Sequence, residues 1–130
     1  MTETRKSSEK SVFHSRSLVS RRLIDSSKNS LAGLRILWDE EAFRVEAILI
    51  APLLPLAIWL GDTAVEQALM IASLVAILIV EAINTAVEKT IDRISMEIHP
   101  LSGHAKDLGS SAVLMAIVLA VLVWGLILLN

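Results

Sequence analysis

The sequence predicts an all-α membrane protein with three transmembrane helices and an N-terminal amphipathic helix on the membrane surface. Of the 130 residues, 54% are hydrophobic, and the mean hydropathy is +0.63. A soluble domain of this size has too little interior to bury so much apolar surface. Three apolar runs, separated by polar segments, contain most of the hydrophobic residues. The excess must therefore face lipid or partner subunits.

The N-terminal part divides into a polar tail and a mixed segment. Residues 1–17 are rich in serine and basic residues without a hydrophobic period, so we expect a disordered tail. From residue 18, apolar residues recur among Arg and Lys, a pattern typical of a helix that lies in the membrane interface. We expect residues 18–130 to form the membrane domain, with the surface helix over about 18–38.

The three apolar runs differ in length. The third, Leu108–Leu129, has 22 residues without a charge, and a spanning helix needs roughly 17–25. The first two have 14 each, so their helices must continue through Glu46 and Glu81. Pro52 and Pro55 predict a kink in the first span. The predicted spans are about 41–60, 64–93 and 107–129.

The basic residues predict the orientation. All twelve Lys and Arg precede the first apolar run or lie between the second and third spans, and none lies in the 61–63 turn or after Leu108. Positive residues stay on the cytoplasmic side. The N-terminus and the 89–107 loop are therefore predicted to be cytoplasmic, with the turn and the C-terminus outside.

A line of polar side chains runs out of the second apolar run. Its members recur at helical spacing and share one face: Glu81, Asn84, Thr85, Glu88 and Asp92. Carboxylates facing lipid are costly, so such groups normally face a bundle interior or a polar cavity and have a function. The alternative is that Glu88 and Asp92 are solvated beyond the membrane and pair with Lys89 or Arg93.

Two further segments place chemistry on the same side. Glu40 and Glu46 form a second acidic cluster before the first span, which could hold Mg²⁺ or could be a charged helix end. In the inner loop, Lys106 could bind phosphate, while Asp107 would also suit the N-cap of the third helix. Without cysteine there is no thiolate metal site, and neither a GxxxxGK[ST] nor a GxGxxG motif is present.

Three segments resemble the signature regions of the bacterial membrane diacylglycerol kinases. They are "EAFRVE", "VEAINTAVEKTIDRIS" and "HPLSGHAKDLGSSAVL". The resemblance covers roughly residues 29–125, and E-x-x-N-x-x-x-E-x-x-x-D-R followed by A-K-D is its most specific part. It implies a homotrimeric helical bundle with shared active sites in the bacterial inner membrane. It also implies Mg²⁺-dependent transfer of the γ-phosphoryl of ATP to diacylglycerol, giving phosphatidic acid, with no nucleic-acid partner.

The resemblance also implies roles for individual residues. Glu81 would be the catalytic base. The metal would be held by Glu40 and Glu88. ATP would be contacted by Arg22, Asn29, Glu40, Glu88, Glu97, His99, Lys106 and Asp107. The lipid substrate would be contacted by Glu81, Trp59 and Ser110. The site would be supported by Glu46, Asn84 and Asp92.

Some assignments stay open. The chain is one residue shorter than expected between Gly33 and Glu40, so Glu41 competes with Glu40 for the metal role. Asn29 stands where the family pattern has an aromatic residue. The undecaprenol kinases share the signature, which makes a polyprenol an alternative substrate. A non-enzymatic subunit that conducts protons or ions through Glu81 is an alternative of another class, although it leaves Lys106 and Glu40 unexplained.

Overall fold

The computed structural model describes Arg22, residues 24–95 and residues 97–129, and every regular element within these ranges is an α-helix. The predicted all-α fold is confirmed. The described residues belong to two compact units that divide after Ile36. The helices are α1 (24–39), α2 (Glu41–Ile50), α3 (Leu53–Leu60), α4 (Ala64–Ile94) and α5 (Pro100–Leu128).

Among the described residues, three segments are long and apolar enough to cross a membrane, the number that the sequence predicted. They are Glu41–Leu60, Ala64–Ile94 and Pro100–Leu128, of 20, 31 and 29 residues. At about 1.5 Å per residue, a 30-residue helix is about 45 Å long. The hydrocarbon core of a bilayer is only about 30 Å thick. The polar end of α4 and the polar start of α5 therefore extend beyond the apolar layer.

The first span is broken at Ala51 and Pro52, between α2 and α3. Pro52 and Pro55 have no backbone N–H, so each removes a hydrogen bond to the residue four positions earlier. Ala51 still donates its N–H to the carbonyl of Ala47, at 2.9 Å. The regular hydrogen bonding of the first span is therefore interrupted at the prolines, while Ala51 and Pro52 keep right-handed helical dihedral angles.

A tight polar turn joins α3 to α4. The hydroxyl of Thr63 accepts a hydrogen bond from the backbone N–H of Glu66, at 3.2 Å. The carboxylate of Glu66 in turn accepts from the N–H groups of Asp62 and Thr63, at 2.9 and 3.2 Å. This reciprocal capping box satisfies donors that the first turn of a helix leaves free, and it fixes the start of α4.

Helices α4 and α5 pack side by side and antiparallel. Their shared core contains the buried residues Leu74, Ile77, Ala116 and Ala120, joined by Ile50 of α2. Toward the start of α4, the indole N–H of Trp124 donates to the carbonyl of Met70, at 3.3 Å. Near the other end, Lys106 contacts Asp92. The two contacts align the helices along their whole length.

The third span begins earlier than the sequence predicted. Helix α5 starts at Pro100, and His99 is its N-cap, with Nδ1 accepting from the N–H of Leu101 at 3.2 Å. Proline suits the first helical position because its fixed φ is helical and its missing donor is not needed there. The prediction that Asp107 caps this helix is wrong, because Asp107 lies two turns inside it. Gly103 is helical as well.

Some predictions concern residues outside the described ranges. These are the tail at 1–17, residues 18–21 and 23 of the predicted surface helix, and the position of the C-terminal Asn130. Within its own unit, the described part of α1 exposes apolar side chains such as Ile24, Leu31 and Leu34. The placement of this helix in the membrane interface stays a prediction.

Candidate functional site

The buried face of α4 changes from apolar to polar part-way along the helix. Met70, Leu74 and Ile77 form its apolar section, and Glu81 follows on the same face with only 5% of its surface exposed. Asn84 and Thr85 are also buried, Glu88 is half-buried, and Asp92 is exposed. The spacing of these residues predicted a common helix face. In the structure, the part of that face from Glu81 to Thr85 is buried within the chain. Glu81 therefore lies within the helix assembly of a single chain.

Carboxylates from two helices meet around Glu81. Glu46 of α2 and Glu40, just before α2, are close enough to interact electrostatically with it, as is Glu88 on its own helix. Glu46 is half-buried, and its Oε2 is buried without a hydrogen-bond partner. Like charges at short range in a partly desolvated place repel one another. This cluster, the acidic cluster Glu40, Glu46, Glu81 and Glu88, is therefore suited to a cation or to a proton.

Asn84 lies between the carboxylates of α4. Its Nδ2 donates to Oε1 of Glu88, at 3.3 Å, and its amide also interacts with Glu81. Its Oδ1 is buried and has no partner. On helix α5, Gly109 lies against this amide, and a Cβ at that position would collide with Oδ1. The position of Asn84 thus depends on a residue that no pattern in the sequence had singled out.

The residues of the acidic cluster fit a Mg²⁺ ion that takes its other ligands from a phosphate-bearing substrate. Within the described part of the chain, no group of three or more His, Asp and Glu side chains is arranged to hold a metal. Mg²⁺ is commonly held by only one or two carboxylates together with phosphate oxygens. Glu40 and Glu88, which both act on Glu81, could supply such a pair. The buried acceptor oxygens nearby, which lack donors, suit a hard cation.

Two lysines form ion pairs at the polar end of the spans. Nζ of Lys89 lies 2.6 Å from Oε1 of Glu40, and Nζ of Lys106 lies 2.6 Å from Oδ1 of Asp92. The sequence suggested Lys89 as a partner for Glu88 or Asp92, and the structure pairs it with Glu40 across the two helices. Lys106, predicted to bind phosphate, pairs with Asp92 near the end of α4. Each lysine offsets the charge of a carboxylate predicted to serve the site.

A small polar pocket of about 250 Å³ lies beside the segment that joins α4 to α5. Its polar lining includes Asp92, Glu97, His99, Ser102 and Lys106. Four residues predicted from the sequence, namely Asp92, Glu97, His99 and Lys106, are therefore brought together here. Because Nδ1 of His99 caps α5, Nε2 is the ring atom left to meet a ligand.

Other predicted site residues lie elsewhere. Asp107 and Ser110 are exposed on α5 and do not line this pocket. Trp59, 80% exposed on α3, is near the turn that starts α4, whereas Glu81 lies about 27 Å along α4 from that turn at 1.5 Å per residue. Arg22 and Asn29 are exposed residues of the other unit.

Comparison with known proteins identifies relatives of similar length. The family model for prokaryotic diacylglycerol kinase matches residues 28–128. A protein of Escherichia coli (strain K12) named "Diacylglycerol kinase" is 44% identical over 108 residues, which cover 82% of this chain and 88% of the relative. Relatives of the same name from Haemophilus influenzae and Pseudomonas aeruginosa are 47% identical over 104 residues and 44% over 111. These alignments cover 79% and 85% of this chain, and 88% and 90% of the respective relatives.

Proposed function

The chain belongs to the prokaryotic diacylglycerol kinase family, and we propose that it transfers the γ-phosphoryl group of ATP to the primary hydroxyl of diacylglycerol. The product would be phosphatidic acid. The observation that carries the proposal is the buried carboxylate of Glu81, placed where the apolar face of α4 becomes polar. A lipid alcohol reaches such a boundary from the membrane, and a nucleotide reaches it from water.

Glu81 acts as the general base in this proposal. A base must lie within hydrogen-bonding reach of the hydroxyl proton that it accepts. Among the carboxylates of the polar face, Glu81 lies nearest to the apolar section of α4, and the Asn84 amide orients it. Phosphoryl transfer otherwise needs positioning and charge neutralisation more than covalent chemistry. Mg²⁺ held by Glu40 and Glu88 would supply much of that neutralisation when it is bound.

The polar pocket beside the inner loop would receive the nucleotide. Lys106 leaves Asp92 to meet a phosphate as a point charge, while Glu97 and His99 contact the rest of the nucleotide. The family resemblance adds Asp107, Arg22 and Asn29 to the nucleotide side. It adds Ser110 and Trp59 to the lipid side.

We further propose that the active sites are shared between the subunits of a homotrimer. Glu81 and Asp92 are three helical turns apart on α4, about 16 Å along the axis. Lys106 of the same chain pairs with Asp92, so it lies toward the far end of this stretch. A neighbouring subunit could bring its own loop closer to Glu81. The number three comes from the family resemblance.

We place the protein in the bacterial inner membrane with its acidic cluster toward the cytoplasm. This follows from the Lys and Arg distribution, and it puts the site where ATP is available. The chain contains no cysteine, so single-cysteine variants can test the orientation. An impermeant maleimide should label Asp62→Cys on intact spheroplasts and His104→Cys only after lysis. The reverse labelling would contradict the assignment.

A lipid panel with radiolabelled ATP tests the proposed reaction. The purified protein in mixed micelles is offered diacylglycerol, undecaprenol and no lipid, each with and without Mg²⁺. We expect labelled phosphatidic acid from diacylglycerol in the presence of Mg²⁺. Preferred labelling of undecaprenol would assign the protein to polyprenol phosphorylation. The absence of any labelled lipid, combined with proton flux in liposomes without ATP, would favour an ion-conducting subunit instead.

A further inference from the structure

Gly109 of α5 faces the Asn84 side chain across the interface with α4. A Cβ built on Gly109 would collide with Oδ1 of Asn84, and it would lie 3.3 Å from Cγ and 3.9 Å from Cα of the same residue. Gly109 itself is half-buried, and Asn84 is buried. The three atoms nearest to such a Cβ would thus all belong to Asn84. The absence of a side chain at position 109 makes room for the amide.

A methyl group at this position would displace the amide more readily than the helix. The nearest atoms belong to the end of the Asn84 side chain, which can rotate, whereas its Cα is already at an ordinary contact distance. Rotation would break the hydrogen bond from Nδ2 to Glu88 and remove the amide from Glu81. Alanine also has a higher helix propensity than glycine, so α5 itself would gain stability. The disturbance would therefore fall on the acidic cluster.

We propose that Gly109 is a positioning residue for the phosphoryl-transfer site. It holds the Asn84 amide between Glu81 and Glu88. The proposed base and the carboxylate predicted to bind the metal therefore keep a fixed position relative to each other. This inference rests on the proposed function, because it assigns Glu81 and Glu88 to catalysis. Gly109 acts through Asn84 and need not touch the substrate or the nucleotide.

Gly109→Ala tests this role, and Gly125→Ala is its matched control. Gly125 lies on the same helix, and a Cβ there meets nothing within 4 Å. We expect Gly109→Ala to lower kcat about tenfold to hundredfold, as for the loss of a hydrogen bond to a charged group. The KM for ATP should change less than twofold, since the nucleotide pocket is lined by other residues. Gly125→Ala should keep the kcat of the unaltered protein.

A spectroscopic measurement separates this inference from the proposed function. The chain has three asparagines, Asn29, Asn84 and Asn130, so selective ¹⁵N-Asn labelling gives few side-chain amide signals. Each side-chain amide gives a pair of N–H signals, and the pair that is missing in Asn84→Ala belongs to Asn84. We expect that pair to shift in Gly109→Ala and to stay in place in Gly125→Ala. An unmoved signal, or a moved signal with an unchanged kcat, overturns the proposal.

Two further outcomes are also decisive. If the unaltered protein phosphorylates no lipid, the proposed function fails, and the amide signal still decides whether Gly109 positions Asn84. If Gly109→Ala does not fold, it is combined with Asn84→Ala, which removes the atoms that the methyl group would meet. Folding of that double variant supports the contact with the amide. Its failure to fold overturns the proposal.

Discussion

Glu81 is a buried carboxylate that no basic side chain neutralises within the described part of the chain. Both ion pairs of that part, Lys89 with Glu40 and Lys106 with Asp92, lie toward the polar ends of the helices. The group that faces Glu81 is instead the Asn84 amide, which is a dipole. A buried charge without a partner is expensive, so its retention needs a reason beyond stability. In the proposed reaction, that reason is the acceptance of a proton from a lipid hydroxyl.

The substitution Glu81→Gln should abolish turnover and leave ATP binding within about threefold of the unaltered protein. The amide keeps the size of the side chain but cannot accept the proton, and a positioned base contributes roughly 10²–10⁴-fold. Turnover is measured by lipid phosphorylation in micelles, and ATP binding by equilibrium dialysis. Asp62→Asn, an acid-to-amide change in the turn between α3 and α4, is the control. Unchanged turnover in Glu81→Gln would remove this residue from the role of base.

The substitution Lys89→Met should strengthen the binding of a divalent cation. The ammonium of Lys89 occupies one oxygen of Glu40, so an incoming ion must displace it and overcome its charge. With solvent screening we expect a gain in affinity of about threefold to fivefold. It is measured by Mn²⁺ titration with electron paramagnetic resonance, in the absence of ATP.

Arg93→Met is the matched control for this measurement. It removes a positive charge from the same end of α4, and within the described residues Arg93 forms no ion pair with Glu40. We expect its effect on Mn²⁺ affinity to stay below twofold. Equal gains in the two variants would show that general charge, rather than the contact with Glu40, governs the binding. In that case Glu40 would lose its support as a metal ligand.

Helical spacing made the polar face of α4 predictable from the sequence, because its members lie on one helix. The contacts across helices were not predictable in the same way. The pairing of Lys89 with Glu40 depends on how α4 meets the start of α2. The fit of Gly109 against Asn84 depends on the rotation of α5, and glycine leaves no hydrophobic signal. Side chains on one element follow from periodicity, and their partners on another element require the packed structure.

At the scale of elements, the start of α4 depends on the capping box of Thr63 and Glu66. Thr63→Ala removes the hydroxyl that accepts from the Glu66 N–H, and we expect the free energy of unfolding to fall by about 1 kcal/mol. Thr63→Ser keeps the hydroxyl and should lose less than half of that. The measurement is reversible unfolding in mixed micelles of increasing SDS content. Equal losses in both variants would show that the cap contributes little and that the methyl group matters instead.

The ends of the helices were harder to predict than their apolar centres. The charges of Lys106 and Asp107 placed the start of the third helix near residue 107, because the apolar run begins just after them. The structure extends this helix back to Pro100, where proline and the His99 cap provide a favourable first turn. The added turns carry Ser102 and Lys106 along the polar pocket. The position of the predicted phosphate ligand is therefore set by a helix rather than by a loop.

At the scale of the whole molecule, a single chain covers little of its apolar surface. In the first and third spans, only 17% of the most apolar window is buried within the chain, compared with 39% in α4. Helix α4 is thus the most enclosed span, and it carries Glu81 and Glu88, two of the four residues of the acidic cluster. The remaining surface must meet lipid or other copies of the chain. Both surroundings agree with a site that accepts a lipid and is completed by a neighbour.

Mixing two inactive variants tests whether subunits share active sites. Glu81→Gln lacks the base, and Lys106→Met lacks the phosphate contact, so each variant alone should be inactive. In a random 1:1 mixture of cyclic oligomers, a site that takes Glu81 from one subunit and Lys106 from the next is intact with a probability of about one quarter. We therefore expect mixtures that are unfolded and refolded together to regain about a quarter of full activity. If each chain completes its own site, every site in the mixture lacks one group, and co-refolding restores nothing. Variants refolded separately and then combined are the control, since their subunits have not been exchanged during assembly.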